Sequence, residues 1–217
     1  MIKYLDDKLL IVDRWSLVKL CNYLFKIALM ETTVRKKLTY FKHAALISFL
    51  YSTAARPIES TWVTLKDIEF VDEYVLVKLR CAKKRKKVEY RIVPIPVWDP
   101  VVQPFIFWVK QPFLHDLNQL IFHYQPQSVL NILQQYGLGG YKLRHSRLTE
   151  LAINGVDEYT LARIAGHKIP LGSLEHYVAL MWQDIAVKVK LATEKIIEKA
   201  KKEGKYVEFE YRQLIPI

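Results

Sequence analysis

The chain has 217 residues and a formal charge of +11, from 33 lysines and arginines against 22 aspartates and glutamates. Apolar residues make up 51%, which excludes a disordered basic tail and leaves room for one good core with at most a small appendage. So large a cationic excess favours a polyanionic partner, most simply nucleic acid.

The first ten residues carry Lys3, Asp6, Asp7 and Lys8 where a secretory leader would have an apolar run. No apolar stretch approaches the ~20 residues of a membrane span, so a soluble intracellular protein is expected. Residues 15–30 place Trp15, Val18, Leu20, Leu24 and Ile27 at helical spacing, with Arg35, Lys36 and Lys37 closing that helix in positive charge. A second, more apolar helix is expected over residues 38–53. Pro57 then suits the first turn of a short third helix reaching about residue 65, with Arg56 at the junction. The period changes at residues 74–79 and 88–95, rich in β-branched and aromatic side chains, which predict a β-hairpin. Its tip is the run Lys83, Lys84, Arg85, Lys86, Lys87. Cys21 and Cys81 lack metal-type spacing and are expected as reduced thiols.

Residues 98–127 are punctuated by Pro100, Pro104, Pro112 and Pro126 and read as irregular, with short helices. Gly137, Gly139 and Gly140 predict a loop, and residues 141–154 a helix stopped by Gly155. Asp157 caps the next helix, which ends near Ala165 and Gly166. Residues 173–181, with Tyr177, and the amphipathic stretch 184–203 before Gly204 are also expected as helices. The fold class is therefore mainly α with a small antiparallel sheet, an α+β domain. His115 and His123 show no ligand clustering, so no metal or other cofactor is expected.

Four segments carry a family resemblance. Thr53 to Glu59 (TAARPIE) resembles the first arginine box of the tyrosine recombinases, or phage-type integrases, and Lys142 to Ser146 (KLRHS) their second. Ala165-Gly166-His167 is similar to their Gly-His segment and Glu175-His176-Tyr177 to their nucleophile motif. Each piece alone is weak. Four in order, with a basic hairpin between the first and second, are specific.

The resemblance implies a catalytic-domain fold in which Tyr177 attacks a DNA phosphodiester and leaves a 3′-phosphotyrosyl link that conserves bond energy for religation. It places Tyr177 ten residues after His167, where the family more often shows nine; Tyr136, Tyr141 and Tyr159 come too early. A tyrosine of pKa ~10 is only about 0.1% ionised at neutral pH, a deficit of ~4 kcal/mol that the site must offset. Arg56 and Arg144 would hold the non-bridging phosphate oxygens, where charge builds in the transition state. His167 would orient the phosphate or handle the tyrosine proton. A hairpin lysine would protonate the leaving 5′ oxygen: Lys83 by resemblance, Lys84 or Lys86 if the register slips. Lys84, Arg85, Lys86, Lys87 and His145 are expected to bind DNA.

Two positions depart from the family. Tyr141 stands where a histidine is usual, and can donate a hydrogen bond but not become a cation near pH 7. Ala54 replaces a glycine and suggests a less strained turn. Arg56 comes so early that the separate N-terminal clamp domain of most members has no room, so residues 1–183 read as the catalytic domain alone. Residues 184–217 read as a C-terminal helix and tail, either exchanged with a neighbouring protomer or docked back as a strand beside the sheet. The function expected is site-specific recombination, integrating or excising a mobile element within a synaptic assembly of like protomers on duplex DNA, with no membrane partner. The alternatives are a type IB topoisomerase-like nicking and closing enzyme, or a decayed DNA-binding protein on the same fold.

Overall fold

The computed structural model describes residues 2–6, 9–82, 88–167 and 181–214 of the chain. It opens with an antiparallel pair that the sequence reading did not assign, β1 (Ile2–Asp6) and β2 (Leu9–Val12). Asp13 then accepts the backbone N–H of Ser16 and caps α1 (Arg14–Met30), whose Leu17, Val18, Leu24 and Phe25 turn inward. The Arg35–Lys37 cluster does not close this helix. It lies in the first turn of α2 (Val34–Ser52), where cations oppose the helix dipole; Arg35 and Lys36 stay exposed and Lys37 is half-buried. From Ala44 to Ser52 every residue of α2 is buried, so this half of the helix runs through the core with no solvent face.

The third helix, α3 (Pro57–Ser60), is a single turn and stops short of the expected residue 65. A 3-10 turn at Leu65–Asp67 leads into a sheet of order β3-β4-β5, made of β3 (Ile68–Val71), β4 (Tyr74–Arg80) and β5 (Tyr90–Pro96), all antiparallel. The expected hairpin is β4–β5, and β3 is an added edge strand. Pro94 fits because β5 is the other edge, where a missing N–H breaks no ladder. Val75, Val77, Leu79, Val93 and Ile95 join the main core, while Tyr74 and Leu76 on the opposite face meet Ala186 and Trp182 of α8 (Trp182–Lys202).

Between sheet and α8 come α4 (Gln103–Val109), α5 (Pro126–Gln135), α6 (Gly140–Ile153) and α7 (Glu158–Ala165). Residues 98–127 hold the short helix α4 as expected, the sequence reading assigns no element to α5, which begins at Pro126, and Gly140 belongs to α6 and not to a loop. A buried ion network ties the start of α1 to α6: Arg14 bonds Asp99 and, at 2.8 Å, Glu150, and Arg147 bonds Glu150 at 2.7 Å. Cys21 and Cys81 are buried, unpaired thiols. Among the described residues no helix is long and apolar enough to cross a membrane.

The tail after α8 lies on α1 of its own chain, and not as a strand on the sheet. Phe209, 1% exposed, sets its ring edge-on to Phe25 at 4.9 Å, and Tyr211 stacks on Phe25 at 5.5 Å. The Asn22 amide donates to the Glu208 carbonyl (2.9 Å) and accepts the Glu210 N–H (3.1 Å), fixing the register of that docking. Phe209→Ala should therefore lower stability by about 3–5 kcal/mol, the cost of emptying a buried phenyl site. Urea unfolding checks this: a midpoint equal to that of the parent protein would mean the tail adds nothing to the core.

Candidate active site

Arg56 precedes a proline, which forces it into extended backbone (φ −75, ψ 149) and makes it the residue before α3. Glu59, three residues on, returns to accept the Arg56 backbone N–H and its guanidinium Nη1, both at 2.9 Å. The same carboxylate takes a two-pronged bond from Arg91 on β5, at 2.7 and 3.3 Å, and the backbone N–H of Ala82 at 3.2 Å. Burial would raise the Glu59 pKa; the hydrogen bonds and charge of Arg91, with the N–H groups of Arg56 and Ala82, outweigh it and hold the carboxyl at about 2.

Two close backbone approaches bring α6 and α7 to this corner. A Cβ on Gly140 would lie 2.1 Å from the Pro57 ring, so only glycine lets the start of α6 sit against α3. Gly166 closes α7 in the left-handed region (φ 64), as its sequence predicts, and a Cβ there would press on Arg91 Nη1 and Cys81 Sγ at 3.1 Å. Ala54 is itself left-handed, at φ 51. The expectation of a less strained turn is thus overturned: an alanine here carries roughly 1–2 kcal/mol of backbone strain. What the strained turn does is aim the Ala54 carbonyl at Arg144.

Arg144 is 5% exposed. Its Nη1 donates to the Ala54 carbonyl and its Nη2 to the Ala165 carbonyl, both at 2.5 Å, and Nη2 lies 3.2 Å from His167 Nε2. A guanidinium only donates, so that contact makes Nε2 the acceptor and puts the imidazole proton on Nδ1. Among the described residues no carboxylate bonds Arg144. Burial, then the charges of Arg56 and Arg91, push its pKa down to about 10, leaving it charged at neutral pH.

Arg56, Arg144 and His167 line one cleft of about 690 Å³, together with Tyr141 and His145. Tyr141 is 80% exposed, its ring parallel to that of His145. Pro57, Ile58, Pro126, Leu130 and Leu148 supply an apolar wall. The fold therefore gathers Arg56, Tyr141, Arg144, His145 and His167. Lys83, Lys84, Arg85, Lys86, Lys87 and Tyr177 lie outside the described residues, although Ala82, next to Lys83, is held by Glu59. The sequence reading overlooked Arg91 and the role of Glu59. The signal was present in the strand alternation, where Arg91 shares the inward phase of Val93 and Ile95 while Tyr90 and Ile92 face solvent. Among the described residues no cluster of His, Cys, Asp or Glu is arranged to hold a metal.

A carboxyl held at about 2 against an ordinary value of 4.5 contributes about 3 kcal/mol to stability above pH 4.5, lost as pH falls toward 2. Glu59→Gln should be less stable at pH 7, and its stability should change less between pH 4.5 and 2 than the parent's. Urea titrations at pH 3, 5 and 7 read both. Parallel pH profiles in the two proteins would show that Glu59 is not the depressed carboxyl.

Several solved structures share the fold. The XerH site-specific recombinase bound to difH substrate in a pre-cleavage complex is 20% identical, with a TM-score of 0.52, over 88% of this chain and 52% of that one. The XerA recombinase (15% identity, TM-score 0.53) covers 93% of this chain and 66% of its own. An integrase from mycobacterium phage Brujita (16% identity, TM-score 0.51) covers 91% and 63%. This chain thus spans about half to two thirds of the length of these relatives. No curated protein matches the sequence. Residues 26–184 match the Phage integrase family, and with that match over most of its length, on a fold shared with tyrosine recombinases, the chain belongs to the phage integrase family.

Proposed function

We propose that this chain is the catalytic part of a site-specific DNA recombinase, cutting and rejoining strands through a 3′-phosphotyrosyl intermediate in the integration or excision of a mobile element. The observation that carries the reading is the convergence of Arg56, Arg144 and His167 on one cleft, with Arg144 charged, buried and bonded to no carboxylate among the described residues. An arginine held by carbonyl dipoles keeps its full charge for an anion. A guanidinium has five N–H donors. The bonds of Arg144 to Ala54, Ala165 and His167 leave donors for phosphate oxygens. Among the described residues Arg56 commits only Nη1 of its guanidinium, to Glu59.

In this reading the Tyr177 hydroxyl gives its proton to His167 or, through water, to solvent as its oxygen attacks phosphorus, forming the O–P bond as the bond to the 5′ oxygen breaks. Lys83, or Lys84 or Lys86 in its place, gives that oxygen its proton. The two arginines stabilise the charge gathered on the non-bridging oxygens. Attack by a 5′ hydroxyl then reverses the step on a new strand. The bond count is conserved, so the cycle calls for no metal and no nucleotide cofactor. Lys84, Arg85, Lys86, Lys87 and His145 bind the duplex around the site, and Tyr141 donates to the phosphate where the family uses histidine. Residues 1–183 act as the catalytic unit on intracellular DNA, in an assembly with like protomers. The DNA-bound state of XerH supports duplex DNA as the partner.

Covalent capture on a nicked suicide duplex tests the reading. The parent chain should form a denaturant-resistant adduct, and Tyr177→Phe should form none while binding duplex DNA as before. Arg56→Ala and Arg144→Ala should each slow capture by about 10²–10³, the scale for losing a preorganised donor. Lysine should rescue either poorly, since a point charge cannot replace the fork. An adduct from the Phe variant would exclude Tyr177 as nucleophile, and no adduct from the parent would end the enzyme reading.

Tyr141 yields a separate expectation. Tyr141→Phe should cost less than ~3 kcal/mol of transition-state stabilisation, the upper range for a hydrogen bond to a charged group. Tyr141→His should keep or raise activity near pH 6, where imidazole gains charge. A Tyr141→His protein with no cleavage across pH 6–8 would assign this position another task.

A further inference from the structure

Arg91 does not line the cleft that Arg56, Arg144 and His167 share, yet its three nitrogens bind the parts that shape it. Its Nη2 and Nη1 hold the two oxygens of Glu59, and its Nε donates to the Ile164 carbonyl at 2.7 Å. Glu59 in turn binds the Arg56 backbone, the Arg56 guanidinium and the Ala82 N–H. Ile164 lies on the last turn of α7, three residues before His167. Two features show a built seat. Arg91 is 8% exposed at an inward strand position, and Gly166 leaves open the space that a Cβ would take from its Nη1. Any buried guanidinium must satisfy its donors; what distinguishes this one is where they end. Here each branch ends on a residue beside the chemistry.

We propose that Arg91 is a positioning residue for strand cleavage, acting through Glu59 on Arg56 and on the base of the lysine hairpin, and through the Ile164 carbonyl on the helix end that presents His167. The proposal rests on the reading of Arg56, Lys83 and His167 as parts of a DNA-cleaving site. Its geometry demands the planar fork. A lysine at 91 supplies one charge to Glu59 but cannot reach both carboxylate oxygens and Ile164 together. Misplacement of reacting groups by about 1 Å costs on the order of 10² in rate, even when the altered residue is remote from the bond being broken.

The test compares the parent with Arg91→Lys, chosen to keep the buried charge paired and the fold intact, and with Arg91→Ala. Three quantities are measured: single-turnover cleavage at saturating protein, duplex Kd, and amide hydrogen exchange at Arg56 and Ala82, the two backbone donors to Glu59. Arg91→Lys should cleave about 10²-fold more slowly with Kd changed less than about threefold, and exchange at those two amides should rise while α1 amides hold. A substrate with sulfur at the 5′ bridging position, whose thiolate leaves without a proton, should recover part of the loss, the part due to a displaced hairpin lysine. If Arg91→Ala fails to fold, Arg91→Lys decides alone. Cleavage by Arg91→Lys within about threefold of the parent, or unchanged exchange at Arg56 and Ala82, overturns the positioning role while leaving the cleavage reading in place. Absence of any adduct from the parent protein instead removes the cleavage reading, and the positioning role with it.

Discussion

The site depends on one buried carboxylate. Glu59 accepts from two guanidinium groups and two backbone N–H groups drawn from α3, the end of β4 and β5. Without it, Arg56, Arg91 and Arg144 would face one another with no anion between them, in surroundings too dry to screen their repulsion. With it, three cations share one negative charge. In the proposed reaction the excess of two positive charges among these four side chains would match a phosphodiester, which carries one negative charge and gains a second on becoming five-coordinate.

The way each arginine is held sorts their tasks. Arg91 is fixed by a carboxylate and its charge is spent. Arg144 is fixed by two carbonyl oxygens, which set the plane of the guanidinium as firmly but leave its charge in place. Those carbonyls must themselves be aimed. Ala165 sits where α7 ends at Gly166, and Ala54 turns through a left-handed conformation that glycine would adopt freely. The strain at Ala54 is thus found at the residue whose carbonyl orients the buried cation, and the surrounding core, where Ala54 is fully buried, holds it there.

Much of this was legible in the residues. Strong periodicity and caps gave α1, α7 and α8, as with Asp157 before α7 and Gly166 after it. The switch to alternating residues gave the β4–β5 hairpin, and the motifs gave a common site to Arg56, Arg144 and His167. What failed had physical causes. Strand β3 is four residues long with Glu69 and Phe70 exposed, so it shows neither an apolar run nor a clear alternation. Helix α5 starts on Pro126, read as a breaker although proline is favoured at a first turn. Gly140 belongs to a helix because its missing side chain, not its flexibility, is what the Pro57 contact needs. The seat of Phe209 beside Phe25 joins positions 184 residues apart, and the apolar pattern of the tail says only that some surface covers it.

Charge pairing sorts the buried arginines into two sets even without motifs. Helix α6 carries Arg144 and Arg147 one turn apart, both buried. Arg147 meets Glu150, which also meets Arg14, and Arg14 meets Asp99, so two cations balance two anions in a closed network beneath the helix. On the cleft side the balance fails among the described residues, with Arg56, Arg91 and Arg144 against Glu59. Burying an uncompensated cation is costly, and a fold under selection for stability alone would neutralise it or replace it with an apolar residue. A neutral network and a charged one within one turn of the same helix therefore support the proposed anion site. Under the proposed function, that anion is the phosphate of DNA.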